Sequence, residues 1–194
     1  MHTSLIIKGR GVSREIKSNV IQSPLAGVTD KIFRKFIRRW APDSLLFTEM
    51  INATSLKLGY GLEKINQISN EEGPVGIQLF DNRPNSIADA AKEAESLGAY
   101  IIDINMGCPV KKIAKKGGGS ALLKDPSLAV ELVKQISRAV KIPVSVKTRI
   151  GWSYKDKNII DFLLRLQDAG ANMFTIHGRT REQGFNGKAD WQFI

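Results

Sequence analysis

Short apolar runs alternate along this chain with longer stretches of helical periodicity. Residues 4–7 and 12–16 flank Lys8-Gly9-Arg10-Gly11, a spacing that predicts a hairpin. Strands are expected next at 20–23, 44–48, 75–80, 100–104, 144–148 and 173–176. Between the first two, Ile32, Phe33, Phe36, Ile37 and Trp40 line one helical face, with Thr29 as candidate N-cap. Lys31, Arg34, Lys35, Arg38 and Arg39 recur on another face of that helix, read as a solvated outer surface. A later helix buries Ala90, Ala91, Ala94 and Leu97 and stops at Gly98. Asp125 caps another that starts at Pro126 and carries Leu132, Val133, Ile136 and Val140 inward. A further helix, 159–169, ends at Gly170.

Strands that alternate with helices in this way make a parallel sheet with each crossover helix packed on it. Leu97-Gly98-Ala99 before the fourth strand is echoed by Ala169-Gly170-Ala171 before the sixth, as in a repeated βα module. A unit averages roughly 30 residues, the pitch of a (β/α)8 barrel that uses about 250 residues for eight units. The fold class is therefore α/β, a (β/α)8 TIM barrel of which this chain supplies about six units. A doubly wound sheet is the competitor, weakened because no GxGxxG follows the first strand.

Charge changes the picture more than composition does. The chain has 194 residues, 42% of them hydrophobic, and a formal net charge of +10. That excess concentrates polyanions, of which nucleic acid is the commonest. No apolar run is long enough to cross a membrane as a helix, and no signal peptide is evident. One cysteine forms no internal disulfide, which fits a cytoplasmic location. Two histidines and one cysteine, widely separated, show no metal-ligand spacing, so no metal is expected.

In a barrel, chemistry collects where the strands end. Those ends carry Gln78, Asn105, Lys147 and His177, with Arg149 and Arg179 two residues beyond the last pair. Ser145 and Lys147 share a strand face opposite Val144 and Val146. A lysine there needs a partner or a wet cavity. Four polar side chains at four strand ends point to a shared ligand, although His177 alone could be a core histidine. Just beyond the fourth strand come Asn105 and Cys108, then Lys111, Lys112, Lys115 and Lys116, then Gly117-Gly118-Gly119, read as a flexible run. A lone thiol can be a buried hydrophobe or a proton donor. Near neutrality an unperturbed thiol, pKa about 8.5, keeps its proton. The glycines are no Walker loop, since no Gly-Lys-Ser/Thr follows them.

Four stretches together resemble the bacterial tRNA-dihydrouridine synthases: SPLAGVTDKIFRKF at 23–36, VGIQLF at 75–80, DINMGCPVKKIAKKGGGSALLKDP at 103–126, and SVKTRIGW with TIHGRTREQGFNGKADW at 145–152 and 175–191. Two departures stand out: Leu25 where the family usually has methionine, and Gly119-Ser120 in place of Gly-Ala. The resemblance implies an FMN enzyme that uses NADPH to reduce the C5–C6 double bond of uridine in tRNA. It implies that Pro24, Leu25 and Ala26 lie along the flavin and that Gln78 bonds its ring edge. Lys147 would stand near N1–O2, and His177 would complete the cofactor shell. Asn105 would hold the uracil, Arg179 would meet the substrate, and Cys108 would give a proton to C5. Lys111, Lys112, Lys115 and Lys116 would face RNA phosphate.

The same resemblance makes residues 1–194 the N-terminal part of the FMN-binding barrel, with the rest of the barrel and a helical tRNA-binding domain outside it. Asp190 to Ile194 reads as the opening of a sixth helix. The complete protein is expected to be a monomer. Alone, the 194 residues are expected to aggregate or stay molten without FMN, because two sheet edges would be open. Two other functions compete: a flavin enzyme acting on a free pyrimidine, like the dihydroorotate dehydrogenases, and a non-catalytic RNA-binding protein.

Overall fold

The computed structural model describes residues 4–157 and 159–194. The predicted hairpin forms: β1 (Leu5–Lys8) pairs antiparallel with β2 (Ser13–Ile16). The chain then runs through β3 (Ile21–Gln22), α1 (Lys31–Trp40), β4 (Leu45–Phe47) and β5 (Ile51–Asn52). Two short helices follow, α2 (Ala53–Lys57) and α3 (Leu62–Asn66), then β6 (Val75–Phe80) and α4 (Pro84–Ser96). The remainder is β7 (Ile101–Met106), α5 (Lys111–Ala114), α6 (Pro126–Ala139), β8 (Val144–Arg149), α7 (Ile160–Asp168) and β9 (Met173–His177). Strands β3, β4, β6, β7, β8 and β9 lie side by side in that order, all parallel. They curl with their helices into a half-barrel, a partial TIM barrel as the alternation predicts.

The two faces of this sheet have different partners. Outward residues Ile77, Leu79, Ile102, Ile104, Val144 and Val146 pack in one cluster with Ile87, Ala91, Leu132, Val133 and Ile136 of α4 and α6. Inward, a second cluster joins Leu45, Phe47 and Ile101 at the start of the strands to Ile7 and Ile16 of the hairpin. The hairpin thus plugs the bottom of the curve, and the polar residues stand above it. Gly76 makes this layer possible. A Cβ there would sit 2.4 Å from the Phe47 ring and 2.8 Å from Ile101. Gly76→Ala is expected to cost about 1–3 kcal/mol through overpacking, measured as a lower urea midpoint; an unchanged midpoint would mean Phe47 can swing away.

Several local expectations are corrected. The N-cap of α1 is Asp30, whose Oδ1 accepts from Phe33 N at 2.8 Å. Thr29 is buried, its hydroxyl occupied by Leu25 N and O at 3.1 Å each. The basic stripe of α1 is solvated only in part: Lys35 and Arg39 are exposed, but two arginines turn inward. Arg34 is 2% exposed and pairs with Glu71, while Arg38 donates to the carbonyls of Pro42, Ser44 and Pro74. Ile32, Phe36 and Trp40 stand exposed instead. The helix crosses polar loop ends whose carbonyls and carboxylate need donors, and the guanidiniums meet that need. Strand β5 continues β4 after a break, pairing Ile51 with Leu79, and like α2 and α3 it fills a stretch for which no element was expected. At the C-terminal end, residues 191–193 make a turn rather than a helix, with Asp190 Oδ1 accepting from Phe193 N at 3.1 Å.

Candidate active site

Parallel register brings the inward side chains of β6, β7, β8 and β9 into tiers. Gln78 lies beside Asp103, and Asp103 beside Ser145. One step up, Asn105 lies beside Lys147, and Lys147 beside Thr175. Above them Arg149 lies beside His177. Asn105 was expected beyond its strand, but β7 runs on to Met106 because the ladder with β8 continues through Lys147 and Thr148.

The lowest polar tier sets the orientation of those above. Asp103 is 1% exposed; its Oδ1 accepts from Ser145 Oγ at 2.6 Å and its Oδ2 from Gln78 Nε2 at 2.6 Å. A carboxylate can only accept, so Gln78 must turn its amide nitrogen toward it and its oxygen away. That oxygen accepts from Asn105 Nδ2 at 3.0 Å. Asn105 is then left with its own oxygen facing the next loop, where it accepts from Gly107 N at 3.2 Å and Cys108 N at 2.9 Å. A single chain of hydrogen bonds, of fixed polarity, runs from the buried carboxylate to the backbone of the cysteine.

Cys108 is a half-buried free thiol in the loop after β7. Its carbonyl accepts from Ser120 N at 3.1 Å. The glycine run expected to be flexible is packed: Gly117 lies against Asn82, Gly118 against Ile113 and Gly119 against Cys108. Gly119 has φ +58, and a Cβ there would lie 3.1 Å from Cys108 O and 3.2 Å from Cys108 Cβ. Only glycine combines that conformation with that approach. Lys111, Lys112, Lys115 and Lys116 are all exposed. Arg149 braces the same loop from β8, donating to Gly107 O at 2.7 Å and to Thr180 O and Gly184 O at 2.9 Å each.

Among the remaining polar groups, Arg179 is tied once, its Nη2 donating to Gly187 O at 2.7 Å. Neither the Lys147 ammonium nor the His177 imidazole has a hydrogen bond among the described residues, and the buried Nε of Arg179 has none either. Burial pushes Lys147 down, opposed by Asp103 and reinforced by Arg149. Burial, then Arg149, Lys147 and Arg179, push His177 down to about 4, so it is neutral near pH 7. Burial raises Asp103 to about 6, against the hydrogen bonds from Ser145 and Gln78 and the charge of Lys147. At the end of β3, Pro24 is half-buried while Leu25 and Ala26 are exposed, on a turn held by Thr29 and by Gly27 N donating to Glu49 Oε1 at 2.6 Å. An exposed apolar turn on the same rim as unpaired cationic and neutral donors suits a flat, polar-edged, anionic ligand such as FMN.

These shifts carry opposite pH signatures. The native state holds the Asp103 proton more tightly than the unfolded chain, so this contribution is full below about 3.8 and is lost as pH rises through about 6. His177 contributes above about 6.5 and loses its share as pH falls through about 4. Relative to the unsubstituted protein, His177→Gln should make stability fall more steeply from about 4 to about 6, and Asp103→Asn should make it rise more steeply. Urea midpoints across that window check this; parallel profiles for all three proteins would contradict it.

Comparison with known proteins gives the family of the chain that carries this rim. Residues 21–194 match the family model for dihydrouridine synthase. The chain belongs to the dihydrouridine synthase family. It is 53% identical over 182 residues to a probable tRNA-dihydrouridine synthase 1 of Synechocystis, covering 94% of this chain and 51% of that one. Against tRNA-dihydrouridine synthase B of Vibrio parahaemolyticus the identity is 39% over 183 residues, covering 93% and 56%. The chain thus spans about half the length of the curated relatives it matches. Among solved structures, the carboxyl transferase domain of Rhizobium etli pyruvate carboxylase superposes with a TM-score of 0.41 at 19% identity, over 73% of this chain and 28% of that one, too loosely to inform the site. Asp103 joins this rim although the apolar run around it gave no sign of a site residue. The alternation that singled out Ser145 and Lys147 places Asp103 two residues before Asn105 on the same inward face.

Proposed function

We propose that this chain carries the catalytic rim of a tRNA-dihydrouridine synthase, which reduces the C5–C6 double bond of a uridine in tRNA. What supports it most is one arrangement in a dihydrouridine synthase chain: the loop that carries the lone thiol of Cys108 is held at the mouth of a polar strand-end rim, its Cys108 N–H donating to Asn105 Oδ1. FMN bound here and reduced by NADPH would supply the hydride that C6 receives.

The side chains divide the remaining work. Pro24, Leu25 and Ala26 would form the apolar support for the cofactor ring, while Gln78, expected at its edge but 1% exposed and bonded to Asp103 and Asn105, would steady the rim from beneath. Lys147, held in a poorly solvated position, would offset negative charge gathering on that edge. A neutral His177 can donate from one ring nitrogen and accept at the other, which suits the polar margin of the same cofactor. Asn105 would orient the uracil, and the Arg179 guanidinium would meet the nucleotide from β9's side. Cys108 would give its proton to C5, so that hydride and proton together saturate the bond and the thiolate regains a proton from solvent.

Absorption spectroscopy of the full-length protein tests this reading. A flavin band that bleaches with NADPH and returns on adding unmodified tRNA, but not free uridine or orotate-like pyrimidines, is expected. A protein that purifies without flavin and takes none up would contradict it.

A further inference from the structure

Outside the rim, a cleft of about 680 Å³ opens between the loop after β6 and the helical turn after Cys108. Arg83, Lys112 and Lys116 line it, with Asn82 and Thr54 between them. None of the three cations has a salt bridge among the described residues. The carboxylate in its wall, Asp81, is 6% exposed and fully engaged. Its Oδ1 accepts from Asn82 N at 2.8 Å and Arg83 N at 3.2 Å, and its Oδ2 from Thr54 N at 2.7 Å and Asn52 Nδ2 at 3.4 Å. Those bonds shape the loop that carries Arg83 and leave Asp81 no lone pair to spare for cations. Three unpaired positive charges against one occupied carboxylate make the cleft a receptor for an anion.

The same geometry divides the four lysines. Lys112 and Lys116, four residues apart, share one side of the helical turn and line the cleft, whereas Lys111 and Lys115 do not. The turn also joins the cleft to the thiol. Ile113 lines the cleft, and its Cγ2 would lie 3.1 Å from a Cβ on Gly119, the residue packed against Cys108. One loop therefore has the reacting cysteine on one flank and a cationic cleft on the other.

We propose that this cleft is a phosphodiester site: Arg83, Lys112 and Lys116 hold the RNA backbone next to the nucleotide whose base reaches Cys108, and Lys111 and Lys115 do not. This rests on the reading of the chain as a tRNA-modifying enzyme. A phosphate could also come from NADPH, and the experiment separates the two sources.

The test compares an Arg83→Gln, Lys112→Gln, Lys116→Gln triple variant of the full-length protein with a Lys111→Gln, Lys115→Gln double variant. Unmodified tRNA binding is titrated over a range of salt, and KM is measured for tRNA and for NADPH. Each lost contact should lower the slope of log K against log salt by about 0.7–0.9, so the triple variant should lose roughly 2–3. Its KM for tRNA should rise, while kcat at saturating tRNA and the KM for NADPH stay near those of the parent. The double variant should keep its slope within about half of one contact. Equal slope losses in both variants would overturn the division. A raised KM for NADPH with an unchanged tRNA slope would give the cleft to the reductant and overturn the proposal. If the parent reduces uridine yet the triple variant keeps its slope, the cleft assignment fails alone. If the parent binds tRNA with the expected slopes yet reduces no uridine, the enzymatic reading fails and the binding site stands.

Discussion

Cys108→Ala is expected to leave reduction of the flavin by NADPH intact while slowing reduction of tRNA uridine by about 10²–10⁴-fold, the usual worth of a positioned general acid. The geometry makes this substitution unusually clean. Both hydrogen bonds at the residue, from its N–H to Asn105 and to its carbonyl from Ser120, belong to the main chain and survive the change. Alanine keeps the Cβ against Gly119 and removes only the sulfur. The loop, the amide chain and the flavin site should therefore persist, and the loss should fall on the protonation step. Pre-steady-state kinetics separate the two half-reactions. A variant that reduces tRNA uridine at the parental rate would end the role of Cys108 as acid.

Arg34→Met should destabilise the fold by about 3–5 kcal/mol. Arg34 donates through Nε to Glu71 Oε2 at 2.9 Å, through Nη2 to Glu71 Oε1, and through Nη1 to Thr29 O at 2.7 Å. The two side chains are 2% and 5% exposed. Methionine fills much of the volume but strands a buried carboxylate and a buried carbonyl. Adding Glu71→Gln should recover a large part of the loss, since a neutral amide costs less to bury than a charge. Chemical unfolding of both variants measures it. A single variant as stable as the parent would show that Glu71 reaches water despite its burial.

Those two residues also mark what the sequence disclosed and what it hid. The strands β6, β8 and β9 were legible because each is a short apolar run bounded by turn residues. The hairpin was legible from its glycines. Gln78, Asn105 and Lys147 were legible as candidates because polar residues interrupt apolar runs, and the strand register brings them together on one face. Arg34 was hidden, because helical periodicity reports only that arginines share a face. Whether that face meets water or a set of loop carbonyls depends on segments nearly forty residues away, around Glu71 and Pro74. Asp103 was hidden for a related reason. Its role comes from Ser145 and Gln78 on neighbouring strands, and register between strands is not written in either one alone. Gly117–Gly119 show the converse error, since a glycine run looks flexible until the atoms it must approach are known.

The most direct measurement is the product itself. The full-length protein, supplied with NADPH and an unmodified tRNA transcript, should convert a defined uridine to a nucleoside heavier by two hydrogens, the one at C5 drawn from solvent during the reaction. Run in deuterated water and analysed by nuclease digestion and mass spectrometry, the account predicts a solvent-derived deuterium at C5, whatever exchange through the N–H of the reduced flavin places at C6. A transcript recovered with every uridine unchanged, from protein that holds flavin and oxidises NADPH, would contradict it.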